Sequence, residues 1–242
     1  MIKTILLDYG GILAYPLSGN WFIPYNIMKI AGIGIMANLI FKKKRLNLAF
    51  FAGNDYLKSN HKLFTEEEEY EQFKEFYRIV FGELKIRTDE KTLAQLAKSI
   101  VFDDNQVKFY DGVKDELAEL KEQYKLIVVS ESWPSVKRVM ENNDIFRLLD
   151  GLVLSCNHNK TKGTGELFET AIKEYNLIPD ECVYIDDELK YMENAEKTGL
   201  KPILMDRRGE VTEADYPIIK HMDEIRDAIE AVEQSDDETE TE

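Results

Sequence analysis

Five short runs of the chain are rich in isoleucine, leucine and valine, with little alternation between apolar and polar positions. This pattern is typical of β-strands that are covered on both faces. The pattern therefore predicts five buried strands, at residues 3–8, 125–130, 151–155, 182–186 and 201–205.

Segments of helical length separate the last four of these strands, at residues 133–143, 164–175 and 189–198. Repeated strand–helix–strand units pair their strands in parallel through right-handed crossovers. The predicted fold class is therefore α/β, with a doubly wound, Rossmann-like parallel sheet.

The interval between the first two strands is long and shows no convincing strand before Tyr110. Helical patterns occupy residues 65–85 and 88–101, and Thr88 is a suitable N-cap for the second of them. A further amphipathic helix begins after Gly112 with the sequence VKDELAELKEQY. A largely helical insertion is therefore expected inside the α/β core.

These elements predict three parts of the chain. The core is expected to comprise residues 1–14 and 105–234, and the inserted α-helical domain residues 15–104. The sequence SDDETETE at 235–242 contains no apolar residue, so a disordered acidic tail is predicted there.

The segment at 22–41 is apolar enough to raise the question of membrane contact, and it is followed by KKKR at 42–45. Pro24, Lys29 and two glycines interrupt it, which weakens it as a spanning helix of about 20 apolar residues. We interpret it as a buried or substrate-facing helix, with membrane contact as the less favoured alternative. The chain enters its first strand without a charged leader, so no signal peptide is expected.

Composition narrows the choice of partner and compartment. The chain has 242 residues, a formal net charge of -15 and an isoelectric point near 4.8, which disfavours nucleic acid and anionic membranes as partners. Its two cysteines, Cys156 and Cys182, have no metal-binding spacing and suggest no disulfide framework. A reducing cytoplasm is the expected location.

Three of the predicted strands end in polar residues. The first ends at Asp8, the second at Ser130, and the fourth at Asp186 with Asp187 following. Ligands of open α/β sheets bind beyond the carboxyl ends of the strands, so these side chains are expected to converge. Ionised carboxylates that lie close together need a cation, and Mg²⁺ prefers such oxygen ligands.

Each of these residues also has a simpler interpretation. Asp8 could begin a turn, Ser130 could merely end a strand, and the acidic pair at 186–187 could cap a helix. Lys162 could be an ordinary loop lysine, with Lys160 as a rival. Their joint occurrence in order favours a real site.

Four motifs together resemble the haloacid dehalogenase-like (HAD) hydrolase superfamily, in the branch with a helical cap inserted after the first motif. The first motif is ILLDYGGIL, the second LIVVSES, the third a lysine ahead of a helix at Lys162, and the fourth VYIDD. The resemblance covers residues 1 to about 207.

The resemblance implies roles for individual residues. Asp8 would be the nucleophile that forms an aspartyl-phosphate, and Lys162 would neutralise charge during the transfer. Asp8, the carbonyl of Gly10 and Asp187 would bind Mg²⁺ directly, while Asp186 would hold a water on the metal.

The same resemblance implies contacts with the substrate phosphate. Ser130, Glu131 and Lys162 would contribute to that binding, and the backbone amides near Gly11 would approach the phosphate closely.

The chain departs from the family pattern at several positions. Gly10 stands where most phosphatases of the family carry an acid that handles the proton, a contribution of roughly 10²–10⁴-fold. Glu131 and Tyr191 stand where relatives often have asparagine. Lys162 is followed by Gly-Thr-Gly instead of Pro-Asp-Pro, so a more mobile loop is expected.

The expected function is a Mg²⁺-dependent phosphatase whose partner is a small phosphorylated metabolite. A haloacid dehalogenase is a less favoured alternative, because no arginine precedes Arg45 to bind a substrate carboxylate. Another alternative is a weakly catalytic protein that binds a phosphorylated ligand or acts as a regulatory partner, which Gly10 and Tyr191 would explain.

Overall fold

The computed structural model describes residues 1–41 and 43–239. Ten α-helices are present in these residues: α1 Ile27–Phe41, α2 Lys43–Ser59, α3 Glu66–Glu83, α4 Glu90–Phe102, α5 Val113–Leu120, α6 Ser135–Asn142, α7 Ser155–His158, α8 Glu166–Tyr175, α9 Met192–Lys197 and α10 Ile225–Thr239. Eight strands accompany them: β1 Thr4–Leu7, β2 Ala14–Pro16, β3 Val107–Phe109, β4 Lys125–Ser130, β5 Gly151–Leu154, β6 Cys182–Asp186, β7 Lys201–Met205 and β8 Ile218–Ile219.

Six of the strands form one parallel sheet in the order β5-β4-β1-β6-β7-β8. β1 therefore lies between β4 and β6, with Leu7 opposite Val128 on one side and Ile185 on the other. The chain winds outward from β1 in both directions, which confirms the predicted doubly wound α/β class. The carboxyl ends of β1, β4 and β6 consequently meet at the same edge of the sheet.

The sheet is stable because its strands bury apolar side chains on both faces. Every residue of β1 is buried, and Leu6, Ile127 and Tyr184 are fully covered by the helices that pack on the sheet. Burying one such side chain contributes about 1.5–3 kcal/mol. The Phe168 ring of α8 packs edge-to-face on Tyr184 with centroids 4.7 Å apart.

The chain divides into two compact units. The α/β unit comprises Met1–Ala14, Phe109–Ser132 and Met140–Glu242, and the helical unit comprises Tyr15–Lys108 and Trp133–Val139. Two segments thus fall outside the predicted division: residues 105–108 and 133–139 belong to the helical unit, although the sequence placed both in the core.

Specific polar contacts explain why residues 133–139 belong to the helical unit. The backbone N–H and the hydroxyl of Ser135 both donate to the Glu69 carboxylate of α3, at 2.8 and 2.7 Å. The Trp133 indole N–H donates to Gln72 on the same helix at 2.8 Å. Arg138 binds Glu66 at 2.9 Å. None of these pairings could be read from the apolar pattern.

The helical unit has an apolar core of its own. Phe76 on α3 is fully buried and packs with Phe22, Phe50 and Phe73, at centroid distances of 5.6 to 5.9 Å. The helix begins at a capping box in which Thr65 and Glu68 bind each other's backbone N–H groups.

The apolar segment at 22–41 forms α1 after an irregular start. Gly32 departs from helical geometry at φ 75° and ψ 167°, so the helix is kinked there. Across the described residues, no helix is both long enough and apolar enough to cross a membrane. Lys42, the first residue of the basic run at 42–45, lies outside the described residues.

Several sequence predictions of local structure need correction. α4 is capped by Asp89, which accepts the N–H of Thr92 at 2.7 Å, and not by Thr88. The short strands β2, β3 and β8 were not predicted. α10 extends through Thr239, so it includes five of the tail residues predicted to be disordered, whereas 240–242 lie outside the described residues.

Candidate active site

Asp8, Ser130 and Asp186 meet where β1, β4 and β6 end, as the sequence predicted. Asp8 follows β1 directly, and its N–H donates to the Ile185 carbonyl of β6 at 3.0 Å. The Ser130 hydroxyl and the Tyr9 backbone N–H both bind the Asp8 carboxylate. Sheet register therefore brings Asp8 together with two side chains that are each more than a hundred residues away from it in sequence.

Asp8, Asp186 and Asp187 form an acidic cluster. One carboxylate oxygen from each lies within 4.8 Å of the others. Asp8 and Asp186 are buried, while Asp187 is exposed. Asp187 is the most solvent-exposed of the three carboxylates.

Lys162 enters this cluster from the loop before α8. Its Nζ lies 2.5 Å from Asp186 Oδ2 and 3.2 Å from Asp8 Oδ1, and the residue is only 1% exposed. Lys160 instead donates to Thr170 Oγ1 at 2.9 Å. The structure therefore selects Lys162 over its neighbour as the lysine of the site.

The acidic cluster carries more negative charge than Lys162 neutralises. Burial raises the pKa of Asp8 to about 6, with Lys162 opposing the shift and Asp186 adding to it. Although Asp187 is exposed as a residue, partial desolvation of its carboxylate, together with Asp186 and Asp8, raises its pKa to about 7. Burial alone would lower the pKa of Lys162, but the two buried aspartates outweigh it and raise that pKa.

Asp186 is held by protein donors on both oxygens. Oδ1 accepts the backbone N–H of Glu188 at 2.8 Å, and Oδ2 binds Lys162 Nζ and the Tyr184 hydroxyl. This carboxylate is therefore fixed in place and is engaged mainly with Lys162. Asp8 and Asp187 retain more of their oxygen lone pairs for a ligand.

Gly11 serves a different purpose from the one the sequence suggested. Its N–H donates to the Ala14 carbonyl at 2.9 Å, so this amide is already satisfied within its own loop. Its φ is +75°, and a Cβ built on it would overlap the Asp187 carboxylate. Gly11 thus leaves room for Asp187. Gly10, whose carbonyl is the predicted metal ligand, forms a bridge to Ala14 in the same loop.

Glu131 binds protein groups. Oε1 accepts the backbone N–H of Lys162 at 2.7 Å, and Oε2 accepts the Tyr191 hydroxyl at 3.3 Å. Both carboxylate oxygens are therefore already engaged with protein groups. A phosphate would in addition repel this negative side chain, so the predicted contact between the Glu131 side chain and a phosphate is disfavoured. Its carboxylate instead holds the loop that carries Lys162.

Sequence reasoning missed Arg207 and Tyr184. Arg207 donates to the carbonyls of Gly11 and Ile12, at 3.0 and 2.7 Å, and its guanidinium stacks on the Tyr110 ring at 4.0 Å. It lies just after the carboxyl end of β7, at the same sheet edge as the predicted site residues. Tyr184 shares a strand face with Asp186, and its buried hydroxyl required a partner. The alternation of Tyr184 with Asp186 could be read from the sequence, whereas the position of Arg207 depends on the loop after β7.

The donor set suits a hard divalent cation. All three side chains offer carboxylate oxygens, which Mg²⁺ prefers. Among the described residues, Asp8 Oδ1 is buried without a hydrogen-bond partner, and the ammonium of Lys162 lies 3.2 Å from it. Lys162 bridges Asp8 and Asp186, so a cation beside Asp8 and Asp187 would relieve the carboxylate repulsion that adds to the effect of burial on the pKa of both groups.

Solved structures share this architecture. A 2-haloacid dehalogenase from Pseudomonas syringae pv. Tomato DC3000 superposes with a TM-score of 0.64 at 14% identity, covering 96% of this chain and 99% of that one. A HAD phosphatase from Thermococcus onnurineus gives 0.56 at 16% identity, with 94% and 98% covered. YfnB of Bacillus subtilis, bound to magnesium, gives 0.58 at 13% identity, with 93% and 96% covered. At these identities the likeness establishes the fold.

The sequence comparison identifies the family. No curated protein matches this sequence. Residues 44–205, more than half of the chain, match the family described as haloacid dehalogenase-like hydrolase. With the parallel sheet and the acidic strand ends, this match shows that the chain belongs to the haloacid dehalogenase-like hydrolases.

Proposed function

We propose that this hydrolase is a Mg²⁺-dependent phosphatase of a small phosphorylated metabolite, acting through an aspartyl-phosphate on Asp8. The observation that carries the proposal is the acidic cluster of Asp8, Asp186 and Asp187, in which the ammonium of Lys162 bridges Asp8 and Asp186. Such a site binds a cation and a phosphoryl group together, whereas displacement at carbon needs no such concentration of carboxylates.

Asp8 is oriented for attack on phosphorus. Ser130, the Tyr9 amide and Lys162 all bind its carboxylate, so few rotamers remain open to it. One oxygen attacks the phosphorus, the bond to the leaving oxygen breaks, and the carboxylate becomes an acyl phosphate. Water then hydrolyses that acyl phosphate and restores Asp8.

Charge compensation accounts for much of the catalysis in phosphoryl transfer. Lys162 supplies one buried positive charge beside the nucleophile. Mg²⁺ bound by Asp8 and Asp187, with the Gly10 carbonyl, would supply the rest. Asp186 holds the lysine in place, because both of its oxygens are bound to protein donors.

The leaving group receives little help with its proton. Gly10 offers no side chain where relatives carry an acid. We therefore expect a preference for substrates whose leaving group needs no proton, such as acyl and aryl phosphates. Alkyl phosphates should turn over about 10²–10⁴-fold more slowly.

The test is phosphate release from a panel of acyl, aryl and alkyl phosphates, with Mg²⁺ and with EDTA. Asp8→Asn should abolish release, and Asp215→Asn, an exposed aspartate outside the site, should not. Metal-dependent release lost only in Asp8→Asn supports the proposal. Mg²⁺ binding with no release from any ester would favour a protein that binds phosphorylated ligands.

Dehalogenation is a second candidate on one observation: Lys162 alone already bridges Asp8 and Asp186. The nucleophile is thus held in place by protein groups, and attack on carbon requires no cation. Halide release from 2-haloacids that persists in EDTA would support this function and contradict the phosphatase.

A further inference from the structure

Two departures from the family's motif pattern lie against each other in the structure. Glu131 follows the second motif and Tyr191 follows the fourth, sixty residues apart in sequence. The Tyr191 hydroxyl donates to Glu131 Oε2 at 3.3 Å. Both residues are half-buried beside Lys162. Two unusual side chains in contact suggest one shared purpose.

The pair contacts Lys162 at both of its ends. Glu131 Oε1 accepts the Lys162 backbone N–H at 2.7 Å, and the Tyr191 ring centroid lies 4.5 Å from Lys162 Nζ. A carboxylate is a strong acceptor, and an aromatic face attracts an ammonium. Main chain and side chain of the lysine are therefore restrained by the same two residues.

The loop that carries Lys162 has particular need of such restraint. Lys162 is followed by Gly163, Thr164 and Gly165, and no proline limits the backbone. Gly165 adopts φ +79° at the start of α8. The sequence predicts a mobile loop, yet the lysine is almost wholly buried. Glu131 supplies an external anchor for a backbone that glycine leaves free.

A second ammonium group also lies close to the Tyr191 ring. Lys190 Nζ lies 4.7 Å from the same ring centroid and pairs with Glu188 at 3.0 Å. Lys162 Nζ is thereby confined between this ring and the carboxylates of Asp8 and Asp186. The ring favours the position from which the ammonium reaches both carboxylates.

We propose that Glu131 and Tyr191 are positioning residues, a carboxylate–phenol pair that fixes Lys162 beside Asp8. The pair replaces the rigidity that prolines would give this loop. The consequence for catalysis rests on the proposed function of Asp8 and Lys162, whereas the restraint of the loop does not.

Amide hydrogen exchange tests the restraint directly, in the protein without substrate or metal. In Glu131→Ala the Lys162 amide loses its acceptor, so its exchange should accelerate by about 10-fold or more. Glu131→Gln retains an oxygen acceptor and a group able to contact the Tyr191 hydroxyl, so it should restore most of the protection.

Kinetics test the consequence. Tyr191→Phe removes only the hydroxyl and Tyr191→Leu also removes the aromatic face, so kcat should fall progressively, by about 10-fold or more in the second, with KM little changed. Tyr216→Phe is a matched control, because the Tyr216 hydroxyl contacts Glu196 Oε2 at the same 3.3 Å distance outside the site. It should leave both constants unchanged.

Three outcomes would overturn the proposal. Unchanged exchange at Lys162 in both Glu131→Ala and Tyr191→Leu would show that the loop needs no anchor. Loss of activity in Glu131→Gln with intact Lys162 protection would make Glu131 a proton carrier instead. A fall in kcat for Tyr216→Phe equal to that for Tyr191→Phe would show that the effect is not specific to the tyrosine beside Lys162. If the wild type released no phosphate at all, the proposed function would fail while the exchange experiment still decided the anchor.

Discussion

Gly11 faces the tightest steric limit in the candidate site. Its φ of +75° disfavours any side chain, and a Cβ would overlap the Asp187 carboxylate. We expect Gly11→Ala to displace Asp187 and weaken Mg²⁺ binding by about 10-fold or more, on top of a backbone cost of about 1–3 kcal/mol. Calorimetric titration with Mg²⁺ and a thermal unfolding curve would measure the two effects.

Gly19→Ala separates these two effects. Gly19 has the same left-handed backbone, at φ +76°, but nothing lies within 4 Å of a Cβ built there. The Gly19→Ala variant should therefore be less stable than the wild type but should bind Mg²⁺ with the same affinity. Equal losses of affinity in the two variants would contradict the steric explanation.

Asp187 should make the metal-free protein less stable as pH rises. Its pKa is raised to about 7, so the folded state binds a proton that the unfolded chain releases near pH 4. Stability is therefore lost between about pH 4 and 7. The amide in the variant Asp187→Asn would have no proton to release as pH rises. In EDTA at pH 8 we therefore expect Asp187→Asn to be more stable than the wild type by about 1 kcal/mol, a value already reduced because the Asp187 side chain is exposed to solvent.

Thermal unfolding across pH 4 to 8 would measure this difference. One kcal/mol corresponds to about 2–4 °C in a chain of this size. The gap between variant and wild type should widen with rising pH. A gap that stays constant with pH would show that Asp187 ionises normally in the folded protein.

At the residue scale, the sequence identified the side chains that end strands but not what they touch. Asp8, Ser130 and Asp186 follow from strand ends, because parallel strands bring their carboxyl ends together. The contacts of Glu131 and the position of Arg207 depend on loops whose paths no periodicity determines. The choice of Lys162 over Lys160 likewise depends on the turn before α8.

At the element scale, the strands of the core were predicted closely. β4, β6 and β7 have the predicted bounds, because strands covered on both faces appear as uninterrupted apolar runs. β2, β3 and β8 have only two or three residues, too few for any pattern. The cap of α4 shifted by one residue because the Asp89 carboxylate reached the Thr92 amide.

Glu69 shows how one buried carboxylate can join two elements of the helical unit. It is 2% exposed on α3, and burial raises its pKa to about 8. Glu69→Ala leaves the Ser135 N–H and hydroxyl without their acceptor, so we expect a loss of about 2–4 kcal/mol. Glu69→Gln keeps an oxygen that can accept the Ser135 N–H and an NH₂ group that can donate to its hydroxyl, so it should stay within about 1 kcal/mol of the wild type.

Chemical denaturation of both variants would measure these losses. Glu67→Ala changes an exposed glutamate of the same helix and should alter stability by less than about 0.5 kcal/mol. If Glu69→Ala were as mild as Glu67→Ala, the contact with Ser135 would contribute nothing to the unit.

At the scale of the whole molecule, Mg²⁺ should stabilise the folded chain. A ligand at 100 times its dissociation constant adds about 2.7 kcal/mol. We therefore expect a rise in the unfolding temperature of about 5–10 °C on adding Mg²⁺, and its reversal by EDTA. Differential scanning calorimetry of the full chain would measure both.

Asp187→Asn provides the control for this effect. It removes one of the predicted ligands and should lose most of the shift, while Asp215→Asn should retain it. An equal shift in all three proteins would mean that the ion binds elsewhere.

The observed division into two units differs from the predicted one. A residue belongs to the unit whose residues it contacts, even where its neighbours in sequence belong to the other unit. Residues 133–139 follow a core strand directly, and the sequence alone assigns them to the core. Trp133, Ser135 and Arg138 all find their partners among residues of the helical unit. Polar pairs of this kind leave no periodic signal, so sequence patterns cannot place them.

The separate segment 133–139 of the helical unit limits how that unit could be exchanged between related proteins. The long insertion leaves and re-enters through β2 and β3, which pair with each other, so a single graft between them would look simple. Such a graft would import a new α3 but retain the old Trp133, Ser135 and Arg138. Recombination that preserves folding must therefore transfer two separate stretches of the gene together, residues 15–108 and 133–139.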